Sequence, residues 1–365
     1  MAITAAQVKE LREKTGAGMM ECKKALTEKD GDMDAAEQWL KEHGAVKAAK
    51  KANRIAAEGL CCVSVAADNK SAAVVEVNSE TDFVAKNEKF QTFVEKVAQQ
   101  ALKSGAKDMD AFLAEPWIED PSKTVNDALV EQVATIGEKL SIRRFERVEA
   151  ANGLVTSYVH GGGRIGVLIE AETANKTDAV KEALKNVAMQ VAAMSPQYIA
   201  SEDISAEELD KIREITVDSA LNDPATLPKP ILQKLLDKAV ADKLWSEEDL
   251  KAYEEQKTNK FLFNFLSDAA KAALSGLAMA AKDSYLADKI FSGLVDGRIS
   301  KQLKEICLMD QVYVKAEDGK QSVKAYLASV DKDLKIVKMI RYEVGEGMEK
   351  KNEDFAAEVA AQIGG

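Results

Sequence analysis

"GLCCVSVAADNKSAAVVEVNSETDFVAKNEKFQTFVEKVAQQA", residues 59–101, aligns without a gap on "GLVTSYVHGGGRIGVLIEAETANKTDAVKEALKNVAMQVAAMS", residues 153–195. The offset stays at 94, and Gly59/Gly153, Leu60/Leu154, Val65/Val159, Glu76/Glu170, Val97/Val191 and Ala98/Ala192 are identical. Each copy reads as a strand, a turn, a second strand and an amphipathic helix. A third strand follows each, "SIRRFERVE" (141–149) and "VKMIRYEVG" (337–345), with Arg-aromatic-Glu in common. The pattern predicts an α+β protein with two related core subdomains. Each is a three-stranded antiparallel sheet with helices on one face.

The copies differ where the second strand meets the helix. Copy one has "SETDFVAKNEKF" (79–90), which sets Phe83 among polar neighbours. One reading folds Phe83 back as a hydrophobic staple on the helix that follows. The other displays the ring to a partner. Copy two has Lys176 and Thr177 in place of Asp82 and Phe83, so the scaffold stands without the pair, which favours display. Copy two in turn carries His160 and three glycines in the hairpin turn "HGGGRIG", where copy one has "ADNKS" in the region 67–71.

Composition narrows the function. The 365 residues are 46% apolar and 30% charged, with a net charge of −11. That balance disfavours direct nucleic-acid binding through counterion release and association with anionic membrane. No apolar stretch is long and uncharged enough for a membrane span, and the N-terminus reads as a helix rather than a signal peptide. Cys22, Cys61, Cys62 and Cys307 show no disulfide framework, and adjacent Cys61 and Cys62 point to opposite strand faces. We expect a cytoplasmic protein with reduced thiols. His43 and His160 are the only histidines, and neither lies at zinc spacing from a cysteine pair. Phosphate-loop and hydrolase motifs are missing, so no catalytic residue, metal or cofactor is expected. An acid–base role for Asp82 or His160 would need a second converging group.

Residues 4–43 read as three short helices, with a Thr4–Gln7 capping box, breaks at Gly16 and Gly18, and Asp32 as a cap. "AVKAAKKANRIAAEG" (45–59) is a helical or flexible linker. The second copy is interrupted after its helix by a long helical insertion. There Leu250, Tyr253, Phe261, Phe265, Ala269, Ala273 and Leu277 line one stripe of an expected long helix running from Ser246 toward Phe291. At about 1.5 Å per residue that helix would be roughly 65 Å long. It either packs on itself or offers a dimerisation or partner surface.

Four blocks, "TGAGMMECKKAL" (15–26), "NSETDFVAKNEKF" (78–90), "HGGGRIGVLIE" (160–170) and "RYEVGEGMEKKNEDFAAEVA" (341–360), closely resemble the elongation factor Ts family of bacterial translation. The resemblance implies a ubiquitin-associated-like N-terminal domain (1–55) and core subdomains at 56–150 and at 151–198 with 309–348. It also implies an inserted helical hairpin or coiled-coil region with extra helices (199–308) and a C-terminal helix (349–365). The extra helices, about 219–287, look like a departure from the family. The implied function is guanine-nucleotide exchange on elongation factor Tu, without enzymatic chemistry. Thr81, Asp82, Phe83 and Val84 would form a wedge that disturbs the partner's magnesium site. Arg12, Met19, Met20, Lys23 and His160 would make further contacts, and the C-terminal helix from Glu353 would dock on the GTPase domain. The alternative is a ubiquitin-associated-like binding adaptor without exchange activity.

Overall fold

A computed structural model describes residues 3–349, so the expected C-terminal helix lies outside the described residues beyond its first position. The chain forms two compact units. One comprises residues up to Ser195 and from Ala325 on, and the other is Pro196–Lys324.

The first unit opens with α1 (Ala5–Thr15), α2 (Met19–Glu28) and α3 (Met33–Lys51). Thr4 and Gln7 form the capping box of α1, and Asp32 accepts the N–H groups of Asp34 and Ala35 at the start of α3. Gly16 ends α1 in a left-handed conformation (φ 68°) that a side chain would resist, and its N–H bonds the Arg12 carbonyl. Leu11, Cys22, Ala25, Leu26 and Ala36 make the small core. α3 continues to Lys51 and so takes in the first part, 45–51, of the stretch that composition left as helix or flexible linker.

The first core follows as β1 (Glu58–Val65), β2 (Ser71–Ser79), the one-turn α4 (Asp82–Ala85), α5 (Glu88–Lys103) and α6 (Met109–Ala114). A small hairpin, β3 (Pro116–Trp117) with β4 (Asp120–Thr124), leads into α7 (Val125–Ile136) and β5 (Leu140–Glu149). The sheet order is β1-β2-β5, antiparallel throughout. The second core begins with β6 (Gly153–His160), β7 (Ile165–Glu172) and α8 (Asp178–Met194). The chain then builds the second unit from α9 (Ala206–Asn222), α10 (Lys229–Ala241), α11 (Glu247–Gln256), α12 (Asp268–Ala280), α13 (Lys282–Leu286) and α14 (Lys289–Ile306). It returns through α15 (Val323–Val330) to β8 (Lys335–Glu343), giving a sheet of order β6-β7-β8.

The internal repeat is visible in backbone detail. A β-bulge interrupts the pairing with the third strand between Glu76 and Val77, and again at the matching step between Glu170 and Ala171. Across from each bulge sits the shared glycine. A Cβ on Gly59 would lie 2.1 Å from the Val77 carbonyl oxygen, and one on Gly153 would lie 1.9 Å from that of Ala171. Only glycine lets the neighbouring backbone come that close. The shared Arg-aromatic-Glu motif is different, because it falls out of register. Glu76 faces Arg144, whereas Glu170 faces Lys338, three residues before Arg341.

β2 is buried along nearly its whole length, with no polar face. One side of its sheet packs on the helices, through Val75 and Val77 against Phe90, Val94 and Val97. The opposite side packs on the second sheet, through Cys61, Ala72 and Val74 with Leu168, Ile340 and Tyr342. Cys61 and Cys62 do divide between the two sides, Cys61 toward the second sheet and Cys62 toward the helices. Helices on one face was therefore correct, and sheet on sheet completes the architecture.

The second unit overturns the long helix. The expected stripe is spread over α11, α12 and α14, and Phe261 and Phe265 are exposed. The buried series lies one residue later, at Leu262, Leu266, Ala270, Leu274 and Ala278. Both series are apolar at a spacing of four, so periodicity could not choose between them. The break comes from polar capping. The buried Asp249 carboxylate accepts the Ser267 N–H (2.8 Å) and hydroxyl (2.8 Å), and the Ser246 hydroxyl (2.7 Å). Ser246 and Ser267 are the N-caps of α11 and α12, so one carboxylate ties two helix starts together. The Ser267 N–H holds the Asp249 carboxyl below its ordinary range against the opposing effect of burial.

Glu76, fully buried in β2, joins the two sheets. It binds Arg143 at 3.0 Å and Arg144 at 2.6 Å, and accepts the Gly345 N–H at 2.8 Å and the Asn78 amide at 3.0 Å. Burial alone would raise its pKa. The Gly345 N–H, Asn78 and the two guanidiniums outweigh burial and lower it. The stabilisation is therefore complete above the unfolded-chain value of ~4.3 and is lost as pH falls through the lower native value. Glu76→Gln should cost about 3–5 kcal/mol, since it leaves two arginines without their buried counter-charge. It should also flatten the acid limb of stability, measured by urea unfolding from pH 3 to 7. Glu170→Gln, at the matching position, should cost less than about 1 kcal/mol.

Candidate functional site

The segment Thr81–Val84 leaves β2 as a single helical turn, and its four side chains divide by direction. Val84 is 9% exposed and packs in the helix-side core. Thr81 caps the turn by accepting the Val84 N–H at 3.4 Å, and is held from beneath by Glu138. Asp82 and Phe83 face solvent, and Phe83 is 79% exposed, more than any other large apolar side chain among the described residues. The staple reading fails, because the ring packs on no core.

Lys86 organises the exposed pair. It donates to the Asp82 carboxylate at 2.7 Å and holds its ammonium 5.9 Å from the centre of the Phe83 ring. That hydrogen bond holds the Asp82 carboxyl below the ordinary carboxylate range, so Asp82 is ionised at neutral pH. The spacing of four on one turn makes this pair legible in sequence.

Copy two treats the same connection differently. Thr177, opposite Phe83 in the alignment, is the N-cap of α8 and accepts the Val180 N–H at 3.4 Å. There the long helix starts at once. In copy one the short turn intervenes, and Asn87 caps α5 after it. Thr177 is thus a structural cap rather than an inert position.

Arg12, Met19, Met20 and Lys23 all line one groove between α1 and α2 of the N-terminal helices. Helix α2 turns Cys22, Ala25 and Leu26 inward, which leaves Met19 (59% exposed), Met20 (74%) and Lys23 on its outer side. His160 ends β6, exposed, with its Nδ1 3.1 Å from the Tyr158 hydroxyl. The turn after it needs its glycines. Gly161, Gly162 and Gly163 have φ of 60°, 64° and 99°, and a Cβ on Gly163 would meet Leu60 Cδ2 at 2.6 Å. The Gly163 carbonyl accepts the Cys61 N–H at 2.7 Å, which fastens the His160 turn to the first sheet. The third glycine thus seats the turn against β1.

No group of acidic, histidine or cysteine side chains suited to a metal ion, and no helix long and apolar enough to cross a membrane, occurs among the described residues. Sequence reasoning missed the groups that hold the exposed turn. Glu80 accepts the Lys139 N–H at 2.6 Å and pairs with Arg54 at 3.2 Å, and Glu138 grips Thr81. These partners lie 26 to 59 residues from the segment and fall in no local pattern.

Comparison with known proteins gives the family. Residues 80–346 match the family Elongation factor TS, and residues 1–49 match Elongation factor Ts, mitochondrial, N-terminal. The chain is 40% identical over 365 residues to the elongation factor Ts of Clostridium novyi (strain NT), covering 99% of each chain. It is 42% identical over 363 residues to that of Clostridioides difficile (strain 630), again covering 99% of each. The chain therefore belongs to the elongation factor Ts family and is a factor of translation elongation. Because these relatives are covered almost end to end, the helical insertion is not peculiar to this chain.

The division of side chains predicts opposite stabilities. Phe83→Ala should shift the free energy of unfolding by less than about 0.5 kcal/mol. Val84→Ala, which empties a core position, should cost at least about 1 kcal/mol, and Thr177→Ala about 1 kcal/mol through the lost cap. Chemical denaturation of the three variants checks the order. A Phe83 variant as costly as the Val84 one would return the ring to the core.

Proposed function

We propose that the chain is a guanine-nucleotide exchange factor that binds elongation factor Tu in its GDP form, disturbs the magnesium and phosphate site and promotes GDP release. The observation that carries this reading is the exposed Phe83 ring beside ionised Asp82, on a turn that follows a strand buried along nearly its whole length. Burying a phenylalanine is worth roughly 1.5–3 kcal/mol. An apolar ring left in water forgoes that energy until a partner covers it. Spent on a partner state with the nucleotide site opened, it matches the usual range of coupling between sites, about 1–3 kcal/mol.

The mechanism needs no bond to be made or broken. The factor must bind the nucleotide-free GTPase more tightly than the GDP form, since only differential affinity shifts an equilibrium. The groove lined by Met19, Met20, Arg12 and Lys23 supplies a second, uniform contact, and His160 a third. Phe83 supplies the differential one by displacing partner groups around the magnesium, and Asp82 offers acceptor oxygens to the displaced groups. The role suits a cytoplasmic protein that meets another protein, without nucleic acid, membrane or cofactor of its own. Self-association of the helical unit through the exposed Phe261 and Phe265 is a separate proposal, tested by sedimentation of the full chain.

Catalytic amounts of the protein should accelerate release of fluorescent GDP from elongation factor Tu. Linkage requires the reverse effect as well, so excess GDP should dissociate the complex. A complex indifferent to GDP would leave an adaptor without exchange activity.

A further inference from the structure

We propose that Glu138 is a positioning residue for the exposed Asp82–Phe83 turn, an inference that rests on the exchange reading. Glu138 lies in the turn between α7 and β5, 57 residues beyond Thr81. Its two carboxylate oxygens take both donors of Thr81: Oε2 accepts the backbone N–H at 3.0 Å and Oε1 accepts the hydroxyl at 2.8 Å. The clamp is reciprocal. Glu80 accepts the Lys139 N–H at 2.6 Å, so two adjacent carboxylates from opposite turns each bind the other turn's backbone. Charge-assisted bonds to backbone N–H groups are among the stronger hydrogen bonds in proteins.

Glu138 is itself held firmly. Gly137 closes α7 in a left-handed conformation (φ 88°), its N–H on the Val133 carbonyl, and its own carbonyl accepts the Lys51 ammonium. Leu140 then begins β5. Phe83 lies two residues beyond the clamped peptide and packs on no core of its own. Its direction is set by Thr81 at one side, Val84 at the other and Lys86 over the ring. Removing the Glu138 carboxylate frees the Thr81 N–H and hydroxyl, and the ring loses its fixed approach. Binding through an ordered wedge then costs the ordering of the turn.

The test compares wild type, Glu138→Ala and Glu138→Gln in the full chain by two readouts. The first is amide hydrogen exchange of the free protein, without elongation factor Tu. Glu138→Ala should speed exchange across 79–86 roughly tenfold, while the α5 and β2 core amides stay unchanged. The second is GDP release from elongation factor Tu, which should slow roughly tenfold with Glu138→Ala. It should recover in part with Glu138→Gln, whose amide oxygen still accepts the Thr81 N–H. In a Phe83→Ala background Glu138→Ala should add little, because the residue acts through the ring. Unchanged exchange at 79–86 would overturn the proposal, as would an undiminished effect of Glu138→Ala without the ring. If the wild type itself fails to release GDP, the exchange reading falls, and hydrogen exchange still decides whether Glu138 holds the turn.

Discussion

A carboxylate sealed between two sheets governs this molecule. Glu76 sits on the middle strand of the first core with no exposed surface, and besides Asn78 on its own strand its partners come from β5 and from the turn after β8. Arg144 continues the contact by lying over the Tyr342 ring at 4.1 Å and donating to the Glu343 carbonyl at 3.2 Å. A buried charge of this kind tolerates few alternative pairings, because any rearrangement leaves it uncompensated. It therefore fixes how the two copies of the repeat face one another. The matching Glu170 has no such role: it is half-buried, and burial pushes its carboxyl up rather than down. One repeat position thus became an inter-sheet lock in one copy and an ordinary strand residue in the other.

The consequence reaches the exposed turn directly. Glu76 is three residues from Ser79, where β2 ends, and the exposed pair begins at Asp82. The strand is packed on both faces, so the turn springs from a base that has little freedom. Glu138 and Glu80 secure it from the side and Val84 from within. This arrangement resolves the tension of an exposed aromatic ring. Phe83 stays in water while Thr81, Val84 and Lys86 around it are each engaged elsewhere.

Much of this was legible in sequence for a physical reason. Strand, turn and helix patterns are local, and the 94-residue offset exposed the repeat, the glycines across from the bulges and the odd Phe83 together. The capping box at Thr4 was legible because capping spans only three residues. The failures are long-range. Two equally apolar series one residue apart ran through 261–278, and the expected helix is broken where the Asp249 carboxylate, bridging 18 residues, holds the start of α12 and again where Asp288 caps α14. The Arg-aromatic-Glu match misled because strand register follows the bulge rather than the motif. The Glu138 clamp left no local signature, and the sheet-on-sheet face left only the short apolar run 72–75 of β2, which Glu76 and Asn78 interrupt.

The central claim is that the first copy of a duplicated scaffold was specialised by one displayed ring. Giving copy one the residue of copy two tests it most directly. Phe83→Thr should retain the wild-type unfolding midpoint while slowing GDP release from elongation factor Tu by roughly five- to a hundredfold, about 1–3 kcal/mol. Asp82→Ala measured in the same cycle should be non-additive with it, since the two side chains act on one contact. Exchange at the wild-type rate from folded Phe83→Thr protein would contradict the account.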